Sequence, residues 1–308
     1  TNKRLSMENK NRHQVICFGE VLWDILPTGT VPGGAPMNVN YHLEKLGKSP
    51  ALITRIGLDD LGRELVDIFS AKGVCTEYFQ LDYEHETGKV YGRLKDSHEM
   101  VYDIVEPVAW DFIQWEDAFA PLVSAADYFV FGSLAARSKV SRETLFAIMQ
   151  HAKTKVLDIN LRAPHYNRSI VEELLKKADI VKMNEAELEL ITGWFSPYKT
   201  DEERMEKMQE LFSISKMVVT RGEKGAIVNW NGTFYTQPGI LVDVEDTVGS
   251  GDSFLAGFLA QMMDGSNPQE ALQFACVLGA FIATQKGGCP DYKLEQVNDL
   301  MRSFRVNA

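Results

Sequence analysis

Apolar residues in this chain gather into short runs, and most runs are followed by a longer segment with helical spacing. Runs rich in Val, Ile, Leu and Phe at 15–18, 51–56, 128–131, 155–159, 180–183, 217–220 and 226–230 predict strands. Segments 37–46, 62–72, 142–151, 170–177, 185–192 and 202–212 carry apolar residues at helical intervals and predict amphipathic helices. Segment 254–263 adds a buried helix, with Phe254, Leu255, Phe258, Leu259 and Met262 spaced for one face. Strands that are apolar throughout, alternating with such helices, predict an α/β fold with a mostly parallel sheet covered on both faces. In such sheets ligands sit outside the carboxyl ends of the strands.

Two stretches break the alternation. Residues 21–32 and 87–105 read as short strands with turns and alternating side chains, with no helix inside either stretch. They predict a small antiparallel sheet projecting from the main body, or a pair of surface hairpins. Residues 1–14 are mostly polar and have no apolar signal core; they are expected to be disordered, with 15–308 forming one domain.

Composition changes the picture only by exclusion. The 308 residues are 45% hydrophobic and 24% charged, which fits a globular unit with a substantial core. Acidic residues number 43 against 32 basic ones, a net charge of −11, and no basic run is visible, so nucleic acid is not expected as a partner. No apolar stretch reaches 18 residues, so no transmembrane helix and no membrane partner are expected. Cys17, Cys75, Cys276 and Cys289 form no CxxC pair and read as reduced thiols of a cytoplasmic protein.

The chemistry concentrates in Asp246-Thr247-Val248-Gly249-Ser250-Gly251-Asp252-Ser253-Phe254. Gly249, Ser250 and Gly251 allow backbone N–H groups to converge on one spot, and the helix that follows adds its positive end. Such a nest suits a transferring phosphate. Asp252 beside it reads as a base that takes a proton from a hydroxyl nucleophile. The same window also suits a plain helix N-terminus with Asp and Ser as caps. Several other segments place polar groups near strand ends. Asp24 follows the first apolar strand and has the chemistry to accept sugar hydroxyls; the alternative is a solvated loop acid. Gly33 and Gly34 permit close approach to the backbone, and Asn38 offers both a donor and an acceptor, although Gly-Gly-Ala-Pro also opens a helix. Arg162, in Asp158-Ile159-Asn160-Leu161-Arg162, suits a phosphate or substrate oxygens, or a surface salt bridge. Thr220, Gly222 and Gly225 lie in a strand–turn–strand segment that reads on its own as a hairpin.

Competing classes lack their motifs. Residues 57–63 come nearest to a P-loop, but Arg63 stands in the lysine place and Glu64 follows it. No GxGxxG follows the first strand, the protein-kinase motifs are absent, and no HExxH occurs.

Two of these segments, taken together, carry a resemblance. Gly33-Gly34-Ala35-Pro36-Met37-Asn38-Val39-Asn40, followed by Leu46-Gly47 and Gly57, resembles the N-terminal signature of the ribokinase-like sugar kinases, the phosphofructokinase B superfamily. Asp246 to Phe254 resembles its C-terminal signature. The resemblance covers nearly the whole chain and is greatest to fructokinases, which carry the Gly-Gly-Ala-Pro and Asp-x-Asn-x-Arg forms. It implies a three-layer α/β/α ribokinase-like fold, with the small sheet as a lid over the sugar. It implies a kinase that moves the γ-phosphoryl of ATP to a small sugar, most readily fructose, with 2-keto-3-deoxygluconate and other sugars as alternatives. A non-catalytic sugar sensor on the same fold is the alternative from another class. The resemblance assigns Asp24, Gly33, Gly34, Asn38 and Arg162 to the sugar, and Thr220, Gly222 and Gly225 to the nucleotide. Asn184 and Glu187 match the motif that organises Mg²⁺ and phosphate. Asp246 resembles a residue that helps hold a monovalent cation, so K⁺ joins Mg²⁺ and ATP as an expected cofactor. The lid sheets of such kinases often pair, which implies a homodimer.

Overall fold

The computed structural model describes residues 12–95 and 99–307. The expected disorder of residues 1–14 lies, for 1–11, outside the described residues. Residues 12–14 run beside the sheet: Arg12 pairs with Asp127, and Gln14 donates its N–H to the Ser49 carbonyl at 2.7 Å.

In chain order the elements begin with β1 (Val15–Phe18), β2 (Leu22–Leu26), β3 (Gly29–Gly33), α1 (Ala35–Lys45), β4 (Pro50–Gly57) and α2 (Asp60–Ala71). Then follow β5 (Phe79–Asp82), β6 (Gly88–Lys95), β7 (Glu99–Ile104), α3 (Phe119–Ala125), β8 (Tyr128–Gly132) and α4 (Lys139–Met149). The middle of the chain supplies β9 (Lys155–Asp158), α5 (Arg168–Lys177), β10 (Ile180–Asn184), α6 (Glu185–Gly193) and α7 (Asp201–Phe212). The last elements are β11 (Lys216–Thr220), β12 (Ala226–Trp230), β13 (Thr233–Gln237), α8 (Ser250–Met263), α9 (Pro268–Ala283) and α10 (Leu294–Asn307).

The large sheet runs β13-β12-β11-β10-β9-β8-β1-β4-β5. All its pairings are parallel except those of β12 and β13, which close one edge as an antiparallel hairpin. Alternation along each strand sends side chains to opposite faces. Ile16 and Phe18 join Phe129, Phe131 and Leu157 on the face covered by α4 to α7. Val15 and Cys17 join Leu52, Val130 and Val156 on the face covered by α1, α8 and α9. Helices α8 and α9 are apolar on nearly every side, as helices buried between layers must be.

The second sheet has the order β3-β2-β6-β7. It arises from the two stretches that broke the alternation. The sheet is mixed, because β2 pairs with β6 in parallel. This corrects the expected antiparallel sheet: the two stretches meet along β2 and β6, which run in the same direction. Asp24 lies within β2, paired with Val31 and Val90.

Candidate active site

Helix α8 begins at Ser250, four residues before its apolar run, so that Ser250, Gly251 and Asp252 form its first turn. Gly249 caps it in a left-handed conformation, φ 75°, and lies face to face with Gly288; a Cβ on Gly249 would stand 2.5 Å from the Gly288 Cα. The N–H groups of Gly251 and Asp252 donate to no backbone carbonyl among the described residues, whereas Ser250 N–H closes a turn to Thr247 O at 3.2 Å. Ser250 Oγ donates to the Gly279 carbonyl at 2.9 Å and ties the turn to α9. The turn therefore presents its donors and dipole outward, as an anion site requires.

Asp252 is the focus of the surrounding charges. Asn38, in the first turn of α1, donates Nδ2–H to Asp252 Oδ2 at 2.8 Å. Its Oδ1 accepts from Cys289 Sγ at 3.2 Å, so both ends of the amide are engaged. A Cβ on Gly288 would stand 2.7 Å from the Asn38 amide nitrogen. Burial pushes the Asp252 carboxyl up to about 6, and the charge of Asp158 adds to the rise. Lys182, the Asn38 hydrogen bond and Arg162 pull it back. A carboxyl poised near neutrality is suited to accept a proton in a reaction.

Asp24 projects from β2 against Gly33, where a Cβ would overlap its Oδ2. Burial raises its carboxyl to about 6, opposed by Arg162 and assisted by Asp246. Arg162 is exposed and has no ion-pair partner among the described residues, yet its charge reaches Asp24, Glu20 and Asp252 alike. Asp24, Arg162, Asn38 and Asp252 thus share one electrostatic neighbourhood beneath the small sheet.

On the other side, Asn184 and Thr220 are register partners at the ends of β10 and β11. Gly222 and Gly225 shape the turn that follows, and Arg221 N–H bonds Gly225 O at 2.8 Å. Asn184 caps α6 with its side chain. Glu187 accepts from Asn184 N–H at 2.8 Å and from Leu161 N–H at 2.7 Å, and so links α6 to the loop that carries Arg162. Asp246 accepts from Val248 N–H and Gly287 N–H, both at 3.0 Å, and joins the start of the signature to the loop before Cys289.

The profile of the pfkB family carbohydrate kinases matches residues 12–294. The chain belongs to the pfkB family of carbohydrate kinases. Probable fructokinase-7 of Arabidopsis thaliana is 30% identical over 342 residues, covering 98% of this chain and 97% of the relative. A fructokinase with bound ATP from Xylella fastidiosa superposes with a TM-score of 0.84, at 22% identity, over 95% of this chain and 99% of that one. A fructokinase from Vibrio cholerae, in a form with fructose, ADP and calcium ion, gives a TM-score of 0.81 at 25% identity, over 94% and 99% of the two chains.

This pfkB kinase holds no carboxylate cage for a metal: among the described residues no group of three or more His, Cys, Asp or Glu could bind one. Two residues of the kinase site lay outside the sequence reading. Glu20 follows β1, is 3% exposed, and holds one carboxylate oxygen without a partner among the described residues; burial raises it to about 7. Lys182 lies in mid-β10 and pairs with Asp158. An ionisable residue inside an otherwise apolar strand was the signal available for Lys182.

Proposed function

We propose that this protein is an ATP-dependent fructokinase. The observation that carries the reading is the Asp252 carboxylate, half-buried in the first turn of α8 beside outward-facing N–H groups and oriented by Asn38. The sugar lies under the small sheet, with Asp24 and Arg162 on its hydroxyls. Asn38 spans the boundary between sugar and base. ATP lies along the turn at Thr220, Gly222 and Gly225 and ends at the nest formed by Gly249, Ser250 and Gly251.

Asp252 takes the proton of the attacking hydroxyl. The hydroxyl oxygen bonds to the γ-phosphorus as the bond to ADP breaks, and the N–H groups of α8 balance the charge on the transferring phosphoryl. Asn184 and Glu187 would orient the waters of Mg²⁺ bound with ATP, which would neutralise phosphate charge. The small sheet acts as a lid that excludes water from the transfer. Asp246 and the backbone around Gly287 form the place where K⁺ would act. One domain carries all of these parts. The exposed Tyr91 and Tyr102 on the small sheet suit pairing into a homodimer. Four free cysteines suit the reducing cytoplasm, and no helix among the described residues is long and apolar enough to cross a membrane.

A coupled ADP-release assay over fructose, ribose, glucose and 2-keto-3-deoxygluconate tests the proposal. Fructose is expected to give the highest kcat/KM. Turnover of another sugar alone removes the fructokinase assignment, and turnover of none removes the kinase assignment.

A further inference from the structure

Lys182 does not fit the strand that carries it. It stands in β10, its side chain is 8% exposed, and it faces its register partner Asp158 on β9. The ammonium donates to the two Asp158 oxygens at 3.0 and 2.9 Å. An ammonium has three donors, so one is left over. A methyl group placed on Gly251 would come within 3.1 Å of Nζ, so the charge lies directly behind the nest backbone. Buried ion pairs seldom hold strands together better than apolar neighbours do, which leaves the pair unexplained as a structural device.

The charges around Asp252 supply the explanation. Asp158 on β9 and Glu20 after β1 crowd it with further carboxyl groups. Lys182 and Arg162 are the cations that oppose them, beside the Asn38 hydrogen bond. Arg162 is exposed at the mouth of the site, whereas Lys182 is locked in the interior.

We propose that Lys182 is a positioning residue for phosphoryl transfer: a fixed cation, anchored by Asp158, that backs the Gly251 turn and offsets the carboxylates gathered at Asp252. This rests on the kinase reading. Lys182 neither gives nor takes a proton. The hydroxyl proton goes to Asp252, and the charge of Lys182 favours both the ionised base and the phosphate in front of the nest.

The test uses the full chain as Lys182→Met and as the double variant Lys182→Met/Asp158→Asn. With ATP and the sugar that the wild type turns over best, Lys182→Met should move the acid limb of the kcat profile upward by about one pH unit, the scale of one charge at an effective dielectric near 20. Above that limb kcat should remain down by about tenfold or more, with sugar KM within about threefold. The double variant removes both charges, so its acid limb should return to within about half a unit of wild type while kcat stays low. A structural role alone would lower folded protein without moving the limb. Calorimetry with a non-hydrolysable ATP analogue reads the same charge without turnover, and Lys182→Met should bind it about tenfold more weakly. An unmoved limb with unchanged analogue affinity overturns the proposal, as does full kcat in the double variant. Should Lys182→Met not fold, the double variant, whose neutral pair preserves the strand contact, decides through its analogue affinity and kcat. A wild type that phosphorylates no sugar refutes the kinase reading, while the analogue affinity still judges Lys182.

Discussion

Asn38→Leu separates the orientation of the base from the binding of the sugar. The substitution nearly preserves volume but removes the 2.8 Å hydrogen bond to Asp252 Oδ2. A hydrogen bond to a charged group is worth about 1.5–3 kcal/mol. One pKa unit corresponds to about 1.4 kcal/mol, so the Asp252 carboxyl should rise by roughly one to two units. It starts at about 6. The sign is fixed: the bond favours the ionised form, so its loss delays ionisation to higher pH. At pH 7 the ionised fraction falls from about nine-tenths to between about one-half and one-tenth, and kcat/KM falls about two- to tenfold with it. Near pH 9 the two enzymes should converge in whatever part of the loss is protonic. A pH series of kcat and kcat/KM from 5 to 9.5 by coupled ADP release reads this directly. An acid limb within about 0.3 units of wild type would refute the reasoning and leave Asn38 as a sugar contact alone.

Other parts of the site give equally direct tests. Asp252→Asn should retain fold and ligand binding while lowering kcat by at least about a hundredfold; near-normal turnover would remove Asp252 as the base. Asp24→Ala should raise sugar KM about ten- to a hundredfold and leave ATP affinity nearly unchanged, and equal weakening of both would place the sugar elsewhere. Gly225→Ala forces a Cβ onto the Gln237 carbonyl at φ +93°, so thermal unfolding should show a loss of about 1–3 kcal/mol and ATP KM should rise more than sugar KM; a variant with unchanged Tm and ATP KM contradicts the turn as a constrained nucleotide loop.

Much of this was legible in the sequence for identifiable reasons. The strands at 15–18 and 226–230 coincide with β1 and β12 because their apolar runs end at abrupt polar or glycine positions. Helix α8 was read four residues short because its first turn consists of Gly, Ser and Asp, which periodicity does not count. Helix α9 went unread because a segment apolar all round has no period to detect, although Asn267 and Pro268 mark its start. Edge strand β13 mixes polar and aromatic residues and takes its pairing from β12. Within the site, Asp252 was visible through the glycines before it. The bond from Asn38 to Asp252 spans 214 residues and the ion pair of Lys182 with Asp158 joins two strands, so both follow from tertiary arrangement that no local pattern encodes.

The contact of Gly288 with Gly249 and Asn38 has a consequence for biosynthesis. Asn38 leaves the ribosome early, whereas the loop that seats its amide and supplies Cys289 is translated about 250 residues later. Until that loop emerges, α1 and α8 lack the wedge that sets the spacing between base and amide. A nascent chain stalled before residue 288 would own every residue of the nest and still lack the Gly288 contact and the Cys289 thiol that engages the Asn38 amide. The amide that orients the base is therefore seated by its Cys289 partner only once translation has passed residue 289.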